Sequence, residues 1–374
     1  MTHLPPPING VTMMGSYVVN SQELRNFFEL RAIAFKSSDS IDDIGTFNAS
    51  KLRKALYFAW RLLVECLVFR PHLVYFTLTP NGLAFYRDLI YVFIIRLTRR
   101  RRIYHLHGKG VAAATKSRLV RIIYRWAFWD SSVVLLSPLL YDDISGVVDK
   151  ERCFYLPNGV AKPCCFEPET ASDAPVGVPH ILFLSNLVRT KGPLVLLEAL
   201  ADIHRRGIPF RASFAGAWES REFEEIFSDF VTENGLSSMV NYLGPKYGAE
   251  KEGLLSSADV FAFPSYNDAY PLVILEAMSH GLPVVATCEG AIPDMVRDGD
   301  NGFLVPTRKP APLAECLVRL INDPALRNRM GQAGKRRYDA EFTLGVFERS
   351  LLEILKKVCD GEAAYETLPA RGWR

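Results

Sequence analysis

The sequence predicts an α/β protein made of two doubly wound parallel-sheet domains. Short apolar runs rich in Val, Ile, Leu and Phe alternate with longer helical patterns along the chain, the pattern of parallel strands covered on both faces. At 374 residues the chain exceeds what one small core organises. The halves also differ in charge. Residues 1–160 hold 21 Lys and Arg against 12 Asp and Glu, a net of +9, whereas residues 161–374 hold 23 against 29, a net of −6.

In the first half the expected strands are His72–Thr77, Arg102–Leu106, Ser132–Leu136 and Cys153–Leu156. In the second they are His180–Leu184, Arg211–Ala215, Val240–Leu243, Val260–Phe263, Pro283–Ala286 and Gly302–Val305. Helical patterns fall at Lys51–Phe69, Pro193–Arg206, Glu222–Glu233, Gly248–Ser256, Ala311–Asn322, Leu326–Tyr338 and Leu344–Cys359. The turn Pro157-Asn158-Gly159 and the Pro- and acid-rich stretch after it mark a boundary. The expected division is a first domain over 1–160, a second over 161–340, and a helix with a frayed tail over 341–374 that crosses back to the first domain. Ligands of such sheets bind beyond the carboxyl ends of the strands.

Seven cysteines without a CxxC spacing argue for a reducing compartment and against a zinc or disulfide scaffold. The N-terminus has no apolar signal-peptide core, and Leu83–Leu97 is interrupted by Arg87 and Asp88 and too short to span a bilayer. The modest total charge of +3 and the lack of a legible nucleic-acid module exclude DNA or RNA as the expected partner.

Five segments carry chemistry. Ser185–Gly192 follows a strand and opens a helix at Pro193, so Arg189, Lys191 and the helix start suit a phosphate; two solvated loop cations read equally well. In Phe263–Val285, Asp268 precedes Glu276 by eight positions around a helix start. Spacing alone fits chance, but Glu276 sits in the apolar run Val-Ile-Leu-Glu-Ala-Met, where an unpaired charge is costly. Tyr104–Gly110 ends a strand and places His105 and His107 on one face, for proton transfer, sugar contact or burial; no third ligand supports a metal. Pro5–Val11 holds Asn9 and Gly10, as a ligand loop or a plain turn. Finally, Arg96–Arg102 precedes Arg118, Arg121 and Arg125 at helical spacing, as a lipid-headgroup surface or a solvated basic face.

Taken in order, these blocks resemble glycosyltransferase family 4, the group 1 glycosyltransferases of GT-B fold. The resemblance is best over residues 180–306: Ser185–Gly192 is similar to the phosphate loop, Phe263–Val285 to the acidic-pair block, and Glu289–Pro293 and Asp298–Val305 to the blocks that follow. It implies two Rossmann-like domains facing across a cleft. It gives Glu276 the ribose hydroxyls and Asp268 the donor sugar, with backbone N–H groups of Ala269, Tyr270, Pro271, Leu272 and Val273. Lys191 and Arg189 take the diphosphate, Asn9 and Gly10 line the diphosphate or acceptor loop, and His107 lies beside the donor sugar. The implied catalytic residues are thus His107, Asp268 and Lys191.

The implied activity is retaining transfer of a hexosyl group from a UDP- or GDP-sugar, a substrate rather than a cofactor, with no divalent metal required. The acceptor is lipid-linked or a saccharide, and the setting bacterial surface polysaccharide, on the cytoplasmic face of a membrane whose anionic surface meets the basic first domain. A GT-B sugar-nucleotide epimerase and a nucleotide-sugar-binding protein without transferase activity are the alternatives. Three departures stand out: Asp268 replaces the usual Glu, Asn186 replaces a frequent arginine, and Met1–Leu4 leaves room for only a very short first strand unless translation starts upstream.

Overall fold

The computed structural model describes residues 1–5, 9–35, 49–163 and 177–362. The middle of the Pro-rich loop, most of the acidic linker, Cys164, Cys165 and the expected frayed tail lie outside them. The chain forms two compact units, Met1–Asn158 with Leu344–Arg374, and Gly159–Thr343.

The first unit holds strands β1 (Thr2–His3), β2 (Ala34–Phe35), β3 (Leu73–Phe76), β4 (Arg101–Leu106), β5 (Ser132–Leu135) and β6 (Cys153–Tyr155). β3, β4, β5 and β6 pair in that order, all parallel, and β1 pairs with β2. The first strand is indeed very short, yet it is tied to β3: the Met1 nitrogen donates to the Tyr75 carbonyl at 2.7 Å and the Thr77 N–H to the Met1 carbonyl at 3.1 Å. Gly15, in helix Gly10–Asn20, permits this close approach, because a Cβ there would lie 2.1 Å from the His3 carbonyl oxygen.

Helices Ala49–Val68, Gly82–Leu97 and Arg118–Phe128 form a layer in which the middle one packs against both others. Right-handed crossovers put all three on one face of the sheet. Between layer and sheet lies an aromatic core of Phe76, Phe85, Tyr91, Tyr104, Tyr124 and Phe128, with Phe85 and Tyr124 stacked at 3.8 Å. Helix Leu344–Asp360 packs against helix Gln22–Phe27 and β4.

The arginines of 96–102 have an unexpected use. Arg96 donates to the carbonyls of Trp126 (2.9 Å) and Trp129 (3.0 Å), Arg100 to Cys66 (3.1 Å), Arg101 to Val358 (3.0 Å) and Arg102 to Trp129 (2.8 Å). These carbonyls end three helices, so much of this basic run caps helix C-termini, where cations are favoured.

The second unit holds β7 (His180–Leu184), β8 (Arg211–Ala215), β9 (Val240–Tyr242), β10 (Val260–Phe263), β11 (Val284–Thr287) and β12 (Gly302–Val305). All six are parallel, in the order β12-β11-β10-β7-β8-β9. Every residue of β7, β10 and β11 is buried, which explains their unbroken apolar character. The strand order reverses between β7 and β10, and a crevice opens there at the carboxyl ends of a doubly wound sheet.

Candidate functional site

The loops that leave β7 and β10 meet at this reversal. Thr190 offers its carbonyl to the N–H of Tyr266 (2.9 Å) and the hydroxyl of Ser265 (3.2 Å), stitching one loop to the other. The Lys191 ammonium donates to the Asp268 carboxylate, an ion pair that is mostly but not wholly shielded from solvent. Gly192 makes the approach possible: it has φ +79°, and a Cβ there would lie 2.1 Å from the Pro264 carbonyl oxygen. The loop after β11 closes in as well. Ala291 donates to the Ala269 carbonyl (2.9 Å), and Glu289 accepts from the Asp268 N–H (3.3 Å).

Helix Leu272–Ser279 starts beside this pair, and no side chain caps its N-terminus. One backbone donor expected there needs correction. Pro271 has no N–H and cannot donate. The Ile274 N–H already bonds the Pro271 carbonyl at 3.2 Å, so the first-turn donors left to a ligand are those of Leu272 and Val273. Tyr270 is buried; burial pushes its hydroxyl well above the usual range, so it stays protonated.

Glu276 lies one turn into the helix and is not an unpaired charge. Its Oε1 accepts from Lys251 of helix Gly248–Ser257 at 2.8 Å, while its buried Oε2 has no partner. Nothing in the sequence singles out Lys251. It stands 25 residues from Glu276 on another helix, and the only available signal was that a carboxylate in an apolar run needs a cation from somewhere.

Arg189 departs from expectation. Its guanidinium bonds Glu222 at 3.3 Å and lies 4.9 Å from the centre of the Phe223 ring, with 46% of its side chain exposed. It is held by the next helix and not grouped with Lys191 and Asp268. Asn186 braces the loop, its Oδ1 accepting from Ala217 N–H at 3.4 Å.

In the first unit, His107 follows the carboxyl end of β4, its ring 4.0 Å from that of His105. His105 shares a 2.6 Å hydrogen bond with the Tyr75 hydroxyl. Burial, then the neighbouring His3, brings the His107 pKa down to about 3, and burial holds His105 well below the usual value. Both are therefore neutral at pH 7, and His107 meets any ligand as a neutral imidazole. Asn9 caps its helix, its Oδ1 accepting from Thr12 N–H at 3.0 Å, and Gly10 is the exposed first helical residue. Among the described residues no group of three or more His, Cys, Asp or Glu is placed to hold a metal.

The second unit thus offers a cation, an uncapped helix start and a buried carboxylate oxygen at one switch point. The fold is that of GT-B glycosyltransferases. A glycosyltransferase from Rickettsia africae superposes with a TM-score of 0.71 over 84% of this chain and 83% of that one, at 20% identity. HepE of Anabaena, solved with UDP, gives 0.67 over 80% and 82%, also at 20% identity. Residues 169–337 match the family of glycosyl transferases group 1. Among curated relatives, a D-inositol 3-phosphate glycosyltransferase of Arthrobacter is 37% identical over 168 residues, 43% of this chain and 40% of the relative. One of Corynebacterium jeikeium is 35% identical over 211 residues, 53% of this chain and 47% of the relative. The chain thus spans less than half the length of either.

Proposed function

We propose that this protein is a retaining glycosyltransferase that takes a sugar from a UDP- or GDP-sugar and passes it to a lipid-linked or saccharide acceptor in surface-polysaccharide assembly on the cytoplasmic face of a membrane. The observation that carries the donor half is the Lys191–Asp268 pair across the β7 and β10 loops, beside the uncapped helix start and the free Glu276 oxygen. A diphosphate entering this crevice draws the Lys191 ammonium to itself and meets the free N–H groups of the helix start. Asp268, released from its cation, accepts from a donor-sugar hydroxyl, and the spare Oε2 of Glu276 accepts from a ribose hydroxyl. As the bond to the sugar breaks, negative charge grows on the diphosphate, and Lys191 with the helix end stabilises it in place. This assigns the charge to protein groups, so the reading requires no divalent cation, and a chelator leaves the rate unchanged.

The reading is tested by thermal shift and turnover. UDP or GDP raises the melting temperature of the wild type, as any ligand selective for the native state must. Glu276→Ala lowers nucleotide affinity by roughly 10- to 100-fold, the scale of hydrogen bonds to a charged group. If no nucleotide or nucleotide sugar stabilises the chain, or E276A binds as well as the wild type, the donor site is elsewhere.

A further inference from the structure

We infer that the outer face of the three-helix layer in the first unit docks on an anionic lipid bilayer. This deepens the reading above, and rests on it in one respect, since a lipid-linked acceptor is met at a membrane. Of the nineteen large hydrophobic side chains exposed among the described residues, seven lie on helix Ala49–Val68, four on Gly82–Leu97 and four between Arg118 and Trp129. Leu56, Trp60, Phe93, Leu97 and Leu119 are each more than half exposed. Adjacent helices carry them, so they form one surface, whereas soluble monomers expose such groups singly or in small patches.

The surroundings choose the occupant. Arg53, Arg118, Arg121 and Arg125 are exposed on the same segments. The only acids there are Glu65, paired with Arg31, and Asp88, buried against Arg87. The rim is thus basic with no free acid, which fits lipid phosphates. Tryptophan and tyrosine among the exposed side chains suit the headgroup level, where an apolar body and a polar tip are both accommodated. At one end Trp129 also borders an open cavity of about 540 Å³ lined by Arg99, Arg102 and Arg152, whose cations outnumber the two carboxylates on its wall, Asp130 and Glu362. Arg102 is only 8% exposed and pairs with the exposed Asp130 at 3.3 Å, but its Nε has no partner. This cavity receives a headgroup phosphate.

The test uses the full chain and sedimentation with vesicles of phosphatidylethanolamine and phosphatidylglycerol, or of phosphatidylcholine alone. The wild type pellets with the anionic vesicles and loses affinity as salt is raised. The double variant L56E/W60E, altered only at exposed positions, binds at least about tenfold more weakly. R99Q/R152Q weakens anionic binding by about fivefold per charge and leaves the residual affinity for phosphatidylcholine unchanged. A wild type that does not pellet, or variants that bind as it does, overturn the inference. So does a dimer in solution that L56E/W60E converts to monomer, which makes the face an interface between copies. Failure here is separable from failure of the donor reading. A chain stabilised by UDP or GDP that ignores vesicles keeps the donor site and loses the docking face, and one that pellets but answers to no nucleotide does the reverse.

Discussion

The two units share a parallel sheet but spend their polar and apolar groups in opposite ways. In the second, ionic groups pair between neighbouring segments, Lys191 with Asp268 across two loops and Lys251 with Glu276 across two helices. Among the described residues, only two of the large exposed hydrophobics, Tyr242 and Tyr247, belong to it. In the first, charge sits at helix C-termini and around an apolar face, while the groups near the strand ends, His3, His105 and His107, are held neutral by burial. One unit gathers ion pairs in a polar crevice, and the other presents an exposed apolar surface. The comparison teaches that charge counted along a sequence says little until its partners are known: the acidic half holds the candidate anion site, and much of the basic half's run caps helices.

The sharpest way to break this comparison is Lys191→Met. The substitution keeps the stem and removes the cation that neutralises both Asp268 in the free protein and the diphosphate in the proposed complex. We expect kcat/KM for sugar transfer to fall by about 10²- to 10³-fold, the range seen when one preorganised electrostatic group is lost from an active site. Melting should fall as well, because the mostly shielded Asp268 carboxylate loses its cation. Steady-state transfer assays with a calorimetric melt check both. A variant within a few-fold of the wild type would remove the ion pair from the chemistry.

A middle-sized effect separates the units by pH. His3 is lowered to about 4 by burial, Arg87 and the N-terminus, and His107 to about 3, from an ordinary value of 6.5. Above pH 6.5 neither folded nor unfolded chain binds these protons, so nothing is lost. Below it the unfolded chain takes up protons that the folded one refuses, and stability falls until the native groups titrate, near pH 4 for His3. In the second unit the buried His180 is also lowered, but it has partners on both nitrogens, Ser257 at 3.1 Å and Ser213 at 2.8 Å. Melting of the full chain should therefore fall between about pH 7 and about pH 5, and H107Q should shrink the fall. An unchanged pH dependence in that variant would show His107 to be solvated.

The sequence announced all six strands of the second unit and four of the six in the first, for physical reasons. β7, β10 and β11 are buried on both faces, so their apolar runs are unbroken and their positions read directly. The loops beyond them are short, so Lys191 and Asp268 were legible as candidates. Two-residue strands such as β1 and β2 carry no periodicity to read. Helix Ala49–Val68 and helix Gly82–Leu97 are apolar on both sides, and no pattern tells an outward Trp60 or Phe93 from an inward Leu62 or Tyr91. Lys251 and Glu276 find each other only through the fold. The count of backbone donors at the helix start failed on elementary grounds, since Pro271 has no N–H to give.

Arg189 offers the smallest expected effect and the finest test. The family resemblance groups it with Lys191 at the diphosphate; the structure gives it to Glu222 and the Phe223 ring. Glu222 is 78% exposed and Arg189 46%, so the pair is screened by water and contributes about 0–1 kcal/mol. On this geometry Arg189→Gln leaves donor KM and kcat within about fivefold of the wild type, since a loss of that energy is worth at most that much. A loss comparable to that of K191M would mean that donor binding pulls Arg189 off Glu222 and into the crevice. E222Q distinguishes the two cases. If Arg189 serves the diphosphate, freeing it from Glu222 tightens donor binding, because the ion pair no longer competes. If Arg189 only fastens the loop to the next helix, E222Q changes nothing at the donor. A null result from both variants leaves Lys191 as the loop cation that carries the diphosphate, and makes the second basic position of this loop a structural fastening.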